Sequence, residues 1–285
     1  MHALLVGLML VATLLPRWAF ADDVVRVWTL GDYQSALLHE LLERTRPEYG
    51  AYEVVPFTEK VSLARATDLL IDGRLLNLIT QGIGQPRLER EAIPVQYPID
   101  KGLLGYRVGF IDAGNQEKLS GVKNLDDMRK LRVGQGRGWG DVRIYEFNGI
   151  PVETSPDTPS LFPMLVHGRF DLFPRGINEI APEFTKYSRD YPSLAIEKHV
   201  LLHYPFYDAF YVSPAAPHLA KRLSAGFELI VADGSFDALF AKYFGKIVAD
   251  LHLRNRVVVD MENPDLPPWV PLDRKELWFD PAQLP

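Results

Sequence analysis

Val24-Val25-Arg26-Val27-Trp28-Thr29 reads as a strand, Gly31-Asp32 as a turn, and Tyr33–Arg46 as a helix whose apolar positions Ala36, Leu37 and Leu41 recur at helical spacing. A second strand follows at Tyr52–Phe57. Ser62 then caps an amphipathic helix to Leu75, and Leu76–Gln81 is a third strand. Strand, helix, strand, helix, strand at this pace predicts parallel pairing with right-handed crossovers, an α/β unit.

Working outward, Gly102–Ile111 (GLLGYRVGFI) is a long apolar stretch suited to crossing from one lobe to another, after which a second α/β set begins. Asn124 caps a short helix, Leu125–Lys130, and Arg132–Gln135 is a strand. Gly134–Asp141 (GQGRGWGD) opens onto a helix, Val142–Phe147, stopped by Asn148-Gly149. Val152–Thr154, Ser160–His167 and Arg169–Phe173 read as strand, helix and strand, and Leu201–Ser213 is the return crossing. Pro217–Ala232 and Ser235–Phe244 are two helices joined by Asp233-Gly234. The end of the chain, with NPDLPPWVPL from Asn263, is too rich in proline for a regular helix or a central strand and is expected over the first lobe. The expected organisation is a signal segment at 1–21, lobe 1 at 22–105, lobe 2 at 106–204, the remainder of lobe 1 at 205–245, and a Pro-rich tail at 246–285 packed on lobe 1.

The chain has 285 residues, 47% of them apolar, with 31 Lys and Arg against 37 Asp and Glu and a net charge of −6. That is enough apolar chain for a core. With no run of basic residues there is no footprint for a phosphate backbone, so nucleic acid is not an expected partner. Cysteine is absent, which excludes disulfides, thiol nucleophiles and zinc-thiolate sites. Ala3–Leu15 is an apolar run of signal-peptide length, and Ala19-Phe20-Ala21 is a small-x-small cleavage pattern. Cleavage after Ala21 leaves Asp22 as the mature end, and the run is short for a hydrocarbon core of ~30 Å, so the mature protein is expected in the periplasm without stable membrane insertion.

Three stretches resemble the type II periplasmic solute-binding proteins, particularly the family that serves polar amino acid transporters. Arg87-Leu88-Glu89-Arg90 with Tyr97-Pro98 looks like its T-x-x-R segment and downstream aromatic-Pro motif. Leu165–Asp171 (LVHGRFD) is similar to L-x-x-G-R-x-D, and Pro217–Gly245 resembles the closing helix pair with D-G-T and K-W-F-G. The resemblance implies an α/β, two-lobe, periplasmic-binding-protein-like fold of type II, with two hinge crossings and a cleft between the lobes. In amino-acid-binding members the Thr and Arg clamp a carboxylate. Here Arg90 matches the Arg, but Arg87 stands where Thr would be and the spacing to Pro98 is one residue short. Where those members place an acid for the ligand ammonium, this chain reads Phe173-Pro174-Arg175-Gly176. A cation there repels a cation by about 1–4 kcal/mol at 4 Å, which points away from ordinary amino acids and toward an anionic ligand.

Arg175, just after an expected strand, is therefore the first candidate ligand contact, with an ion pair to Glu179 or Glu183 as its structural alternative. Trp139 and Asp141 close a run of four alternating glycines before a helix. Trp139 is suited to stacking on a ligand or to core packing, and Asp141 to ligand contact or capping. The glycines fit neither nucleotide-binding pattern. Arg90 enters through the resemblance, against a solvated helix face. Trp28, Asp32 and Tyr33 follow the first strand as a candidate opposite wall, with core packing as the alternative for Trp28, and Tyr207, with Tyr204 and Asp208, lies on the return crossing, as hinge packing or cleft lining. His199 and His203 are four apart but in an extended stretch, so no metal site is expected. No serine elbow, zincin motif or paired acid and base is present, and no catalytic residue or cofactor is expected. The function expected is hinge closure on a small polar, anionic ligand for a membrane permease or membrane sensor. Two rivals stay open: an interaction module without a ligand, and a dehydratase-like enzyme on the same fold.

Overall fold

The computed structural model describes residues 23–281; the expected signal segment lies outside the described residues. In chain order the first lobe opens with β1 (Asp23–Trp28), α1 (Asp32–Tyr49), β2 (Tyr52–Phe57), α2 (Leu63–Asp72), β3 (Leu78–Gly82), α3 (Pro86–Glu91) and β4 (Ile93–Pro94). The second lobe holds β5 (Tyr106–Asp112), α4 (Gln116–Ser120), α5 (Leu125–Met128), β6 (Val133–Gly136), α6 (Gly140–Phe147), β7 (Val152–Ser155), α7 (Leu161–Val166), β8 (Phe173–Gly176), α8 (Ile177–Tyr187), β9 (Leu194–Ile196) and β10 (Val200–His203). The chain returns through β11 (Asp208–Val212), α9 (Pro217–Ala232) and α10 (Ser235–Asp250), and ends with β12 (Val257–Asp260) and irregular chain.

The first sheet has the order β2-β1-β3-β11-β4. β1 pairs parallel with β2 and β3, as the opening pattern predicts, whereas the returning β11 runs antiparallel between β3 and β4. Two expected caps are in place: the Ser62 side chain accepts from Arg65 N–H at the start of α2, and Asn124 accepts from Asp127 N–H at the start of α5. Leu37, Leu38, Leu41 and Leu42 of α1 are wholly buried against α9, where Leu223 and Phe227 face them. Each such side chain contributes about 1.5–3 kcal/mol by burial. Arg222 of α9 is fully buried and tied to the Asp23 carboxylate and the carbonyls of Leu42 and Gly50, which joins the ends of β1 and α1 to α9.

In the second lobe the order is β12-β10-β5-β8, with β9 also on β5, while β6 and β7 pair parallel beside it. The expected strand at Arg169–Phe173 is displaced. Leu172 makes a single parallel bridge to Val133 and the N–H of Asp171 bonds to the Arg132 carbonyl, so the ladder against β5 starts only at Phe173. Arg175 consequently lies inside a strand, opposite Val108, and not in a loop beyond it.

The tail also departs from expectation. The described part of the expected tail, residues 246–281, does not pack on lobe 1 alone, because α10 continues to Asp250 and places Val248 in the second lobe's core, and β12 adds a parallel edge strand to β10. Residues 262–278 lie against the first lobe, where Trp269, Trp278 and Leu277 cover its apolar residues, and Phe279 packs back into the second lobe's core beside Tyr106.

Candidate functional site

Two crossings run side by side between the lobes: Ile99 N–H bonds to the Asp208 carbonyl at 3.1 Å and Tyr204 N–H to the Gly105 carbonyl at 3.2 Å. Asp100 ends the first crossing's approach, and its carboxylate accepts from the N–H groups of Gly102 and Leu104, which caps the turn Leu103–Gly105. Asp208 begins β11 at the far end of the second crossing. Its half-buried carboxylate makes no hydrogen bond or ion pair with the described residues. Burial, together with the neighbouring Asp208, pushes the Asp100 carboxyl above the usual carboxylate range. Burial likewise raises Asp208, against the attraction of Arg107 and with the repulsion of Glu179.

The wall facing these acids comes from β5, β8, α6 and α8. Arg107, the first charge on β5, donates through Nε to the Tyr204 hydroxyl at 2.8 Å and pairs with Asp141 at 3.2 Å and Glu179 at 3.5 Å. Burial opposes its charge, but Asp141, the tyrosines and Glu179 outweigh that, so the guanidinium is held above its ordinary pKa. Glu179 links two arginines, with Oε1 on Arg175 Nη2 at 2.8 Å and Oε2 on Gly176 N–H and Arg107. Glu179 is the third residue of α8, so the same carboxylate satisfies a free N–H at that helix start. Glu183, one turn on, receives Arg175 through both Nε and Nη2.

The expected residues therefore separate into two groups. Arg175, Trp139 and Asp141 belong to one cluster: the Trp139 ring lies 5.0 Å under the Arg175 guanidinium, a cation–π contact, and Asp141 pairs with Arg107 instead of capping α6. Gly136 makes room for that indole, since a Cβ there would sit 2.2 Å from it. The others lie apart. Arg90 is 66% exposed on α3, with Glu91 no nearer than 3.9 Å. Asp32 is exposed in the first turn of α1. Trp28 packs toward the Leu69 and Leu70 core and lines a separate groove with Leu30, His39, Tyr52 and Phe57. Tyr33 is buried, donates to the Ile99 carbonyl at 2.6 Å, and packs its ring edge-on against Tyr243 and Phe244. Tyr207 is buried beneath Trp269 and Trp278.

This arrangement corrects the reading of Arg175 as a free anion contact, because Glu179 and Glu183 already take its Nε and Nη2 donors. This wall and the two acids of the crossings set five carboxylates (Asp100, Asp141, Glu179, Glu183, Asp208) beside two guanidinium groups, Arg107 and Arg175. Sequence reasoning places Asp208 on the return crossing, as hinge packing or cleft lining, but does not single out Arg107. A signal existed for Arg107, the lone charge within the apolar run GLLGYRVGFI. Among the described residues, no three His, Asp or Glu side chains converge to hold a metal.

In structure the chain is similar to the GluR0 ligand-binding core in complex with L-glutamate, at 12% identity over 79% of this chain and 98% of that one, with a TM-score of 0.51. It is also similar to an ancestral arginine-binding protein bound to arginine, at 16% identity over 78% and 99% of the two chains, with a TM-score of 0.49. Similarity extends to the ancestral amino acid-binding protein AncCDT-1, a precursor of cyclohexadienyl dehydratase, at 15% identity over 78% and 95%, with a TM-score of 0.47. No protein-family model and no curated protein matches the sequence. The fold is thus a divergent α/β, two-lobe fold of the type II periplasmic-binding-protein kind.

Proposed function

We propose that this protein is an exported solute-binding protein that holds a small polar ligand in the crevice between its lobes and closes on it by hinge motion. The observation that carries the reading is the Asp208 carboxylate, which has no hydrogen-bonding partner among the described residues and faces the Arg107–Glu179 wall at the junction of the crossings. Concave sites at lobe interfaces with a few converging polar groups are where small ligands bind. The sign of the ligand's charge is revised: the anionic expectation rested on Arg175, and three carboxylates on two guanidinium groups, with Asp208 unpaired beside them among the described residues, support a ligand bearing a cationic group. Binding, not catalysis, is the role proposed, with a membrane permease or membrane sensor reading the closed state.

The test is a thermal-shift screen of the chain from Asp22 onward against amines and guanidines, zwitterions, sugars and carboxylates. Saturation at ~100 times Kd adds about 2.7 kcal/mol. A shift with a cationic class that is lost in Asp208→Asn supports the reading; a shift with carboxylates alone refutes the charge assignment, and no shift with any class weighs against a small-molecule ligand. A module without a ligand is the second reading, favoured by the tail tryptophans that cover Tyr207 beside the crevice.

A further inference from the structure

We infer that residues 261–279, which return from the second lobe after α10 and β12 have already carried the chain there, form a further connection between the lobes, a strap that restrains the hinge and sets the angle the lobes adopt without ligand. The strap starts on the second lobe, where β12 runs parallel to β10 and Met261 N–H continues the ladder to the His203 carbonyl. At the joint, Asn148 at the end of α6 exchanges two hydrogen bonds with the Glu262 backbone, at 2.7 and 3.0 Å. Asn263 donates to the Pro205 carbonyl on the second crossing and accepts from Asp265 N–H, and Pro264 between them fixes φ. Arg143 of α6 pairs with Asp265 at 3.1 Å, and the same Asp265 lies against Gly84 of the first lobe.

Beyond the joint the strap is fastened to the first lobe and to both crossings. The Trp269 indole donates to Glu89 at 2.9 Å, and Arg274 forks onto Glu228 of α9. The Trp278 ring covers Gly102 on the first crossing, where a Cβ would meet it at 2.6 Å, and stands edge-on to Tyr207 on the second. Phe279 N–H bonds to the Lys101 carbonyl at 2.7 Å. A hinge turns easily when only a few residues at the crossings must change their backbone angles. Here any rotation must also bend the Asn263-Pro264 joint or break its contacts with α6, so opening and closing are coupled to this segment.

The absence of native cysteine allows a direct test without ligand, which keeps it separate from the proposed binding role. Spin labels are placed at Glu53→Cys on β2 and Glu153→Cys on β7, both exposed, and the inter-lobe distance distribution is measured by pulsed electron resonance. The expected result is a narrow distribution that broadens about two-fold or more when Asn263→Gly and Pro264→Gly loosen the joint, as freed hinge motion requires. If that variant fails to fold, the surface pair Arg143→Ala with Asp265→Ala is used, for which broadening by a smaller factor is expected. A distribution already broad in the native chain, or one of unchanged width in the folded variant, overturns the inference.

Discussion

Arg175 presents Nε and Nη2 to the two oxygens of Glu183, each at 2.7 Å, so the guanidinium that looks most available in sequence is occupied within its own lobe. Its side chain is 8% exposed and that of Glu183 20%. Removing one partner of such a pair strands a charge in a poorly hydrated place. Arg175→Ala should therefore lower stability by about 3 kcal/mol, read from urea unfolding. Arg175→Met combined with Glu183→Leu removes both charges and should recover part of that loss.

Asp208 should behave in the opposite way. Its carboxylate has no hydrogen-bonding partner among the described residues and its charge is disfavoured by burial, so Asp208→Asn should leave the folded chain as stable or slightly more stable near neutral pH. The same variant should weaken a cationic ligand at least about ten-fold, a loss of ~1.4 kcal/mol, measured by titration calorimetry.

Stability should depend on pH through Asp100 and Asp208. Both are raised in the folded chain by burial first, Asp100 also by Asp208 and Asp208 by Glu179, so the folded state binds protons that the unfolded chain has released. Above the unfolded carboxylate value of about 3.9, the contribution of these two groups falls as pH rises through their raised folded values. The melting temperature from pH 4 toward neutrality (~4 to ~7) should thus decline less steeply, or rise more, in the Asp100→Asn/Asp208→Asn variant than in the native chain. Identical slopes would contradict the assignment.

Glu89 anchors the tail, and Arg90, its neighbour in the same motif, does not. Glu89 accepts from Tyr211, Trp269 and Gly84 N–H, so Glu89→Ala leaves these donors unpaired. A loss of about 2 kcal/mol follows from orphaned, partly buried donors, with a red shift of tryptophan emission as Trp269 loosens. Arg90→Ala, on an exposed helix face, should stay within about 0.5 kcal/mol of native.

Gln135 is wholly buried on β6, with neither amide atom hydrogen-bonded by a protein group. An apolar residue of similar length has no such group to desolvate. Gln135→Met should raise the unfolding free energy by about 1 kcal/mol in urea, whereas a loss of comparable size would mean that the amide has a partner.

Local pattern determined much of this architecture. The alternation of Val24–Thr29 with the helix from Tyr33, the caps at Ser62 and Asn124, and the Asp233-Gly234 break between α9 and α10 are decided by interactions within a few residues, which sequence displays directly. Gly234 has a φ of 78°, as a break of this kind demands. The elements at 177–187 and 257–260 were missed because Pro182 inside α8 obscures its periodicity, and because β12 is a strand only by virtue of its partner β10. The site was legible as a neighbourhood and not as chemistry: Trp139, Asp141 and Arg175 do come together, yet their charges are spent on Arg107, Glu179 and Glu183. Whether a guanidinium meets a ligand or a carboxylate depends on which side chains converge within 3 Å or so, and residues on different strands and helices are brought that close only by the assembled sheet. The tail shows the same division: its prolines excluded regular structure from the outset, while its attachment to both lobes and both crossings follows from surfaces that exist only once the two lobes have formed.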